Sequence, residues 1–164
     1  MKFLNYGIVI MELHLGDTDS ITPPNMDSKN QAKGTSSVVS QDSIHKLLDK
    51  AIEQGIQGHK NGYLELAEEV FDSILSMYPD HAQANHRMGL LKIDSGITLE
   101  ALPYLENAII SDPSIFQFWV NLSETLVQLG QFEEAIKIIN LARESGLDGE
   151  EFTTLETKLN HQSI

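Results

Sequence analysis

Side chains able to do acid–base, nucleophilic or metal chemistry are few in this chain, and their spacing does not gather them. The six histidines, His14, His45, His59, His81, His86 and His161, contain no HExxH pair. His81 and His86 are the closest two, and five residues on a helix turn them about 140° apart. The adjacent acids Glu68-Glu69, Glu133-Glu134 and Glu150-Glu151 fall near expected helix starts, where the helix dipole favours carboxylates and water solvates them. No GxGxxG, P-loop or GxSxG sequence occurs. The absence of cysteine removes disulfides, thiolate nucleophiles and Cys-ligated zinc. Asn121-Leu122-Ser123 spells a glycosylation acceptor, but it falls within a helical stretch. No catalytic residue, metal or cofactor is expected; the chain is read as a non-enzyme.

Charge narrows the partners further. Eleven Lys and Arg against 24 Asp and Glu give a net charge of −13 in 164 residues. A nucleic-acid backbone or an anionic membrane surface is repelled by such a field, so neither is an expected partner. The opening MKFLNYGIVIMELHL resembles an export signal only superficially, because polar residues interrupt the apolar run and no small-x-small site follows. A cytoplasmic location is expected. From Gly16 to Val39 the residues are mostly polar, with Pro23-Pro24 barring regular structure, so residues 1–40 read as a disordered leader.

The elements beyond the leader follow a fixed period. Gly130, Gly96 and Gly62 are 34 residues apart, as are Ala135, Ala101 and Ala67. A recurrence of this length marks stacked repeats. Between the glycines, apolar residues recur at three- and four-residue steps, as in Ile44, Leu47, Leu48, Ala51, Ile52 and Ile56. These patterns predict helix pairs at about 42–60 and 64–77, 81–94 and 98–111, 115–128 and 132–145, with a lone helix at 149–160. Asp80 with Gln83, Ser114 with Gln117 and Asp148 with Glu151 have capping-box spacing, and Pro79 and Pro113 close the preceding helices. Gly55 and Gly89 are expected to face Ala67 and Ala101, with Ser123 facing Ala135, letting paired backbones approach closely. Met88, Leu91, Leu105, Leu122 and Ile139 should fill the space between pairs, and Trp119 should be core. Phe152, Leu155 and Leu159 should cover the third pair while Glu150, Thr153, Thr154, Glu156, Thr157 and Lys158 meet water. The class is all-α: three antiparallel helix pairs and a capping helix, spanning 41–161.

Gly55, Gly62, Ala67, Phe71 and Pro79, then Gly89, Gly96, Ala101, Ala108 and Pro113, then Trp119, Leu122, Gly130, Ala135 and Ala142 together resemble three tetratricopeptide repeats, at about 48–81, 82–115 and 116–149. Lys92 and Gly58 depart from the pattern at a usually apolar site, and Leu147 replaces the closing proline. The resemblance implies a right-handed α-solenoid whose concave groove takes a peptide or partner helix. It places Ile52, Ile56 and His59 in that groove, with Gln83, His86, Arg87 and Leu90 from the second repeat and Gln117, Asn121 and Glu124 from the third. A chaperone-tail clamp is disfavoured, because its positions hold Ile52, Ile56, Arg87, Gln117 and Asn121, with one cation. The implied function is a non-catalytic adaptor or scaffold binding a protein or peptide partner. The alternative is a substrate-recruiting module of a glycosyl-, sulfo- or methyltransferase system, since LAEEVFDSILSMYPDHAQANHRMGLL is similar to such leaders. Weak self-association through the open end of the first pair is a third reading.

Overall fold

A computed structural model describes residues 41–162. The chain divides into two units, Met1–Lys46 and Leu47–Ile164. The expected disordered leader at 1–40 lies outside the described residues. Seven helices occupy the rest: α1 (Gln41–Lys60), α2 (Leu64–Met77), α3 (Ala82–Asp94), α4 (Thr98–Ser111), α5 (Phe116–Gln128), α6 (Phe132–Glu144) and α7 (Glu150–Gln162). Each boundary up to the start of α7 lies within one residue of the sequence expectation, and α7 runs two residues further. No strand occurs among the described residues, and no helix there is long and apolar enough to cross a membrane.

The period survives in three dimensions because the same turn is built each time. Gly62, Gly96 and Gly130 have φ of 80°, 78° and 73°, a left-handed conformation that only glycine adopts without strain. At the second of these, the Ile97 amide donates to the Lys92 carbonyl and the Gly96 amide to the Ile93 carbonyl, each within 3.0 Å. That pattern satisfies the last carbonyls of α3 and turns the chain into α4. The same pair of bonds recurs after α1 and α5.

Helix starts are capped differently from the expectation. The residue capping α3 is His81, whose Nδ1 accepts from the Ala84 amide at 3.3 Å, so Asp80 and Gln83 form no capping box. Asp112 takes Ser114: its Oδ1 accepts from the Ser114 hydroxyl at 2.6 Å and amide at 3.1 Å, leaving α5 without a side-chain cap. Asp148 accepts from the Gly149 amide at 2.9 Å and from Arg143 at 3.0 Å. At Asp112 and Asp148 a neighbour one or two residues away reaches the oxygen first, and at α3 the residue after Asp80 takes the amide.

The close approaches fall in part on other partners. A Cβ at Gly55 would stand 2.6 Å from the Phe71 ring, and one at Gly89 2.7 Å from Leu105; Ala67 is instead approached by Gly58. Gly89 does face Ala101, whose carbonyl oxygen would stand 3.5 Å from the same Cβ, but the nearest neighbour of both glycines is a large side chain. Ala67, Ala101 and Ala135 are nevertheless fully buried, as are Phe71, Leu91, Leu105 and Ile139, while Met88, Trp119 and Leu122 are 1% exposed. Phe152, Leu155 and Leu159 of α7 are buried against the third pair, and Phe152 meets Phe116 edge-on at 4.9 Å. Glu156 departs from the expected solvated face, because it pairs with Arg143.

The leading face of the first pair differs in kind. Where α3 buries Ala84, Met88 and Leu91, and α5 buries Phe118, Leu122 and Thr125, the register places exposed Lys50, Gln54 and Gln57 on α1. Stacking a further copy there would desolvate an ammonium and two amides along with Leu47, which is 63% exposed.

Candidate functional site

The first helices of the three pairs share one surface. Ile52, His86 and Val120 are 34 residues apart and 6%, 4% and 2% exposed, so they form its floor. Ile52 packs with Ile74 and Ala84 and therefore serves the core more than a ligand. Ile56 is half-buried and joins both clusters of the first pair. The His59 Nε2 lies 2.8 Å from the Asp94 carboxylate, tying the end of α1 to the end of α3. Gln83, Arg87, Leu90 and Asn121 are half-buried, and Gln117 and Glu124 are exposed.

Three of the expected residues are brought together as a chain of hydrogen bonds. Gln117 Nε2 donates to Asn121 Oδ1 at 2.7 Å, which leaves the Asn121 amide nitrogen facing His86 Nε2, also at 2.7 Å. An amide nitrogen donates, so His86 Nε2 accepts and the ring proton sits on Nδ1. Thr125 Oγ1 donates to the Asn121 carbonyl at 2.6 Å and Phe118 lies 4.5 Å from the imidazole, between ring centroids. Burial, with Arg87 beside it, lowers the His86 pKa from 6.5 to about 4. The imidazole is thus a neutral floor group that locks α3 to α5.

Two buried donors on this surface have no acceptor: His86 Nδ1 and Arg87 Nε. Ser123 Oγ is likewise buried and unpaired. Beyond Glu124 a recess of about 260 Å³ opens between α5 and α7, lined by Glu124, Glu150, Glu151, Thr154, Leu155 and Lys158. Phe118 and the α7 residues lie outside the groove set expected from the sequence. Phe118 occupies the register of Ala84, and its bulk was the available signal. Among the described residues no cluster of three or more His, Asp or Glu side chains has the geometry to hold a metal ion.

The tetratricopeptide repeat family model matches residues 92–159. No curated protein matches the chain. Among solved structures it is similar to the TPR2B domain of yeast Sti1 in complex with pHsp70, at 16% identity and TM-score 0.62 over 70% of this chain and 97% of that one. It is similar to PcrH in complex with the chaperone binding region of PopD, at 17% identity and TM-score 0.57 over 72% and 89%. It is also similar to the O-GlcNAc transferase of Thermobaculum terrenum, at 26% identity and TM-score 0.55 over 64% of this chain but 20% of that one. With the 34-residue register, the recurring glycine turns and the family match over residues 92–159 in agreement, the described residues have a tetratricopeptide-repeat fold.

Proposed function

We propose that this chain is a non-catalytic interaction module that holds an extended or helical segment of a partner protein along the face shared by α1, α3 and α5. The observation that carries the reading is the Gln117–Asn121–His86 chain beside an unpaired Arg87. A fixed row of amide groups over a buried apolar floor suits a polypeptide backbone, whose donors and acceptors need partners, better than a small molecule, which needs an enclosing cavity. Two of the similar structures contain such a polypeptide, the Hsp70 partner of Sti1 and the PopD region held by PcrH. The expected result is that Arg87→Glu and Asn121→Ala weaken capture of a partner protein while circular dichroism is unchanged, and that Lys137→Glu on exposed α6 leaves capture intact. Equal capture by all three variants would overturn the reading.

The likeness to part of an O-GlcNAc transferase favours a second reading, in which the module recruits substrates for a transferase. A transferase gene beside this one, whose product co-purifies with the chain, is the result that reading requires.

A further inference from the structure

Exposed apolar side chains are not scattered evenly over this fold. Of the nine large hydrophobic residues that stand exposed among the described residues, seven belong to α2, α4 or the residues capping them, and α3 and α5 hold none. Leu66 and Met77 on α2 are 11 residues apart, and so are Leu99 and Ile110 on α4. Eleven residues make three turns, so each pair shares one side of its helix, about 16 Å apart along the axis. Exposed Pro103 lies between Leu99 and Ile110 on that side and, having no amide hydrogen, leaves the Leu99 carbonyl without its usual helical donor. Around these apolar groups the charge is of one sign. Neither helix contains Lys, Arg or His, and Glu65, Glu69 and Asp72 of α2 and Glu100 of α4 are exposed. The two helices are neighbours, because Lys92 of α3 places its ammonium 2.6 Å from Glu68 of α2 and 3.8 Å from Glu100 of α4.

We propose that the outer side of α2 and α4 is a second interaction surface, separate from the α1, α3 and α5 face, and that it takes a basic amphipathic helix of a partner protein. Apolar residues exposed singly need no partner, but two rows of them on neighbouring helices form a patch that marks an interaction surface. A helix with apolar residues at i, i+4, i+7 and i+11 presents a row of the same length as Leu66 to Met77 or Leu99 to Ile110. Its Lys and Arg side chains meet the carboxylates of Glu65, Glu69, Asp72 and Glu100 and the Leu99 carbonyl. Those carboxylates also decide against the other occupants. A nucleic acid or an anionic membrane is repelled by them. A second copy laid against the same surface would set carboxylate against carboxylate, which opposes a face-to-face dimer.

The test is selection, on the full chain, of a display library of helix-forming peptides varied over Lys, Glu, Leu, Ala and Gln, followed by affinity measurements on synthetic copies of the enriched sequences. Enriched peptides should carry an excess of Lys with Leu at helical spacing. Their binding should weaken by about tenfold or more when Leu66→Ser and Leu99→Ser are combined, the range for losing a buried leucine contact. Glu65→Lys with Glu69→Lys should weaken the same peptides, and should do so less as salt is raised in the parent measurement. Asn121→Ala should leave them unchanged, and circular dichroism should be the same for all variants. The surface is overturned if no peptide is enriched, if the enriched peptides show no excess of Lys, or if both double variants bind them as the parent does. Peptides lost with Asn121→Ala but kept by both double variants would lie on the α1, α3 and α5 face, overturning the second surface while leaving the first standing. A dimer in light scattering that Leu66→Ser with Leu99→Ser dissolves would assign the surface to a second copy and overturn the proposal as well.

Discussion

Asn85 and Trp119, 34 residues apart, make the same hydrogen bond with different chemistry. Asn85 Nδ2 donates to the Pro79 carbonyl at 2.7 Å, and Trp119 Nε1 donates to the Pro113 carbonyl at 2.9 Å. Each bond fastens the first turns of a helix back onto the proline that ends the previous pair, so the angle between successive pairs is held by one side chain per joint. Asn85 adds a second bond to the His81 carbonyl at 3.2 Å. Trp119→Phe and Asn85→Ala should each lower stability, by about 2 kcal/mol for the former, which also leaves a void, and about 1 kcal/mol for the latter. Urea unfolding of the two variants checks this; parent-like midpoints would show that the joints are held by packing alone.

Gly89→Ala should destabilise, against the usual direction. An exposed helical glycine gains about 1 kcal/mol of stability on replacement by alanine. At Gly89 the new methyl would stand 2.7 Å from Leu105 Cδ2, and overpacking of this kind costs about 1–3 kcal/mol. Gly96→Ala meets open space but forces φ of 78° on a residue with a Cβ, costing about 1 kcal/mol. A thermal melt that rises for either variant would contradict the geometry.

Stability should fall as pH drops through the window set by His86. Its pKa is about 4 in the folded chain and 6.5 when unfolded, so between these values the unfolded state binds more protons. The contribution is therefore fully present above 6.5, declines below it, and is exhausted near 4. The steepest slope from one such group is about 1.4 kcal/mol per pH unit. Urea midpoints at pH 7 and pH 5 should differ less in His86→Gln than in the parent chain, whatever the variant costs at pH 7. An identical pH dependence would place the imidazole in contact with solvent.

Lys92 offers a different contrast. It occupies the register of Leu126 and is 9% exposed, with Glu68 holding its ammonium. Lys92→Leu should leave stability level or higher, whereas Glu68→Ala, which strands the cation, should lower it. The opposite ordering in calorimetry would make the ion pair a net source of stability.

The helices were legible because their ends depend on residues with one conformational use. Glycine at positive φ and proline at a helix end report backbone geometry directly, so Gly62, Gly96, Gly130, Pro79 and Pro113 located the boundaries. Capping was not legible in the same way. Asp112 and His81 lie as near to the amides as Ser114 and Asp80 do, and only three-dimensional placement decides which oxygen or nitrogen arrives. Gly55 and Gly89 were legible as close approaches, and Ala101 as a neighbour of Gly89, but the nearest partners depend on the lengths of Phe71 and Leu105. The link from Asn121 to His86 spans 35 residues and joins two helices, a relationship that no local pattern encodes. The floor at Ile52 and His86 was for the same reason read as ligand-facing surface.

Hydrogen exchange of the complex tests the binding face most directly. With a partner segment whose capture needs Asn121 bound to the full chain, amides and neighbouring segments at 83–94 and 117–128 should exchange more slowly, while those of α2, α4 and α6 keep their free rates. Slowing confined to α2, α4 and α6 would put the partner on the outer helices and contradict the account.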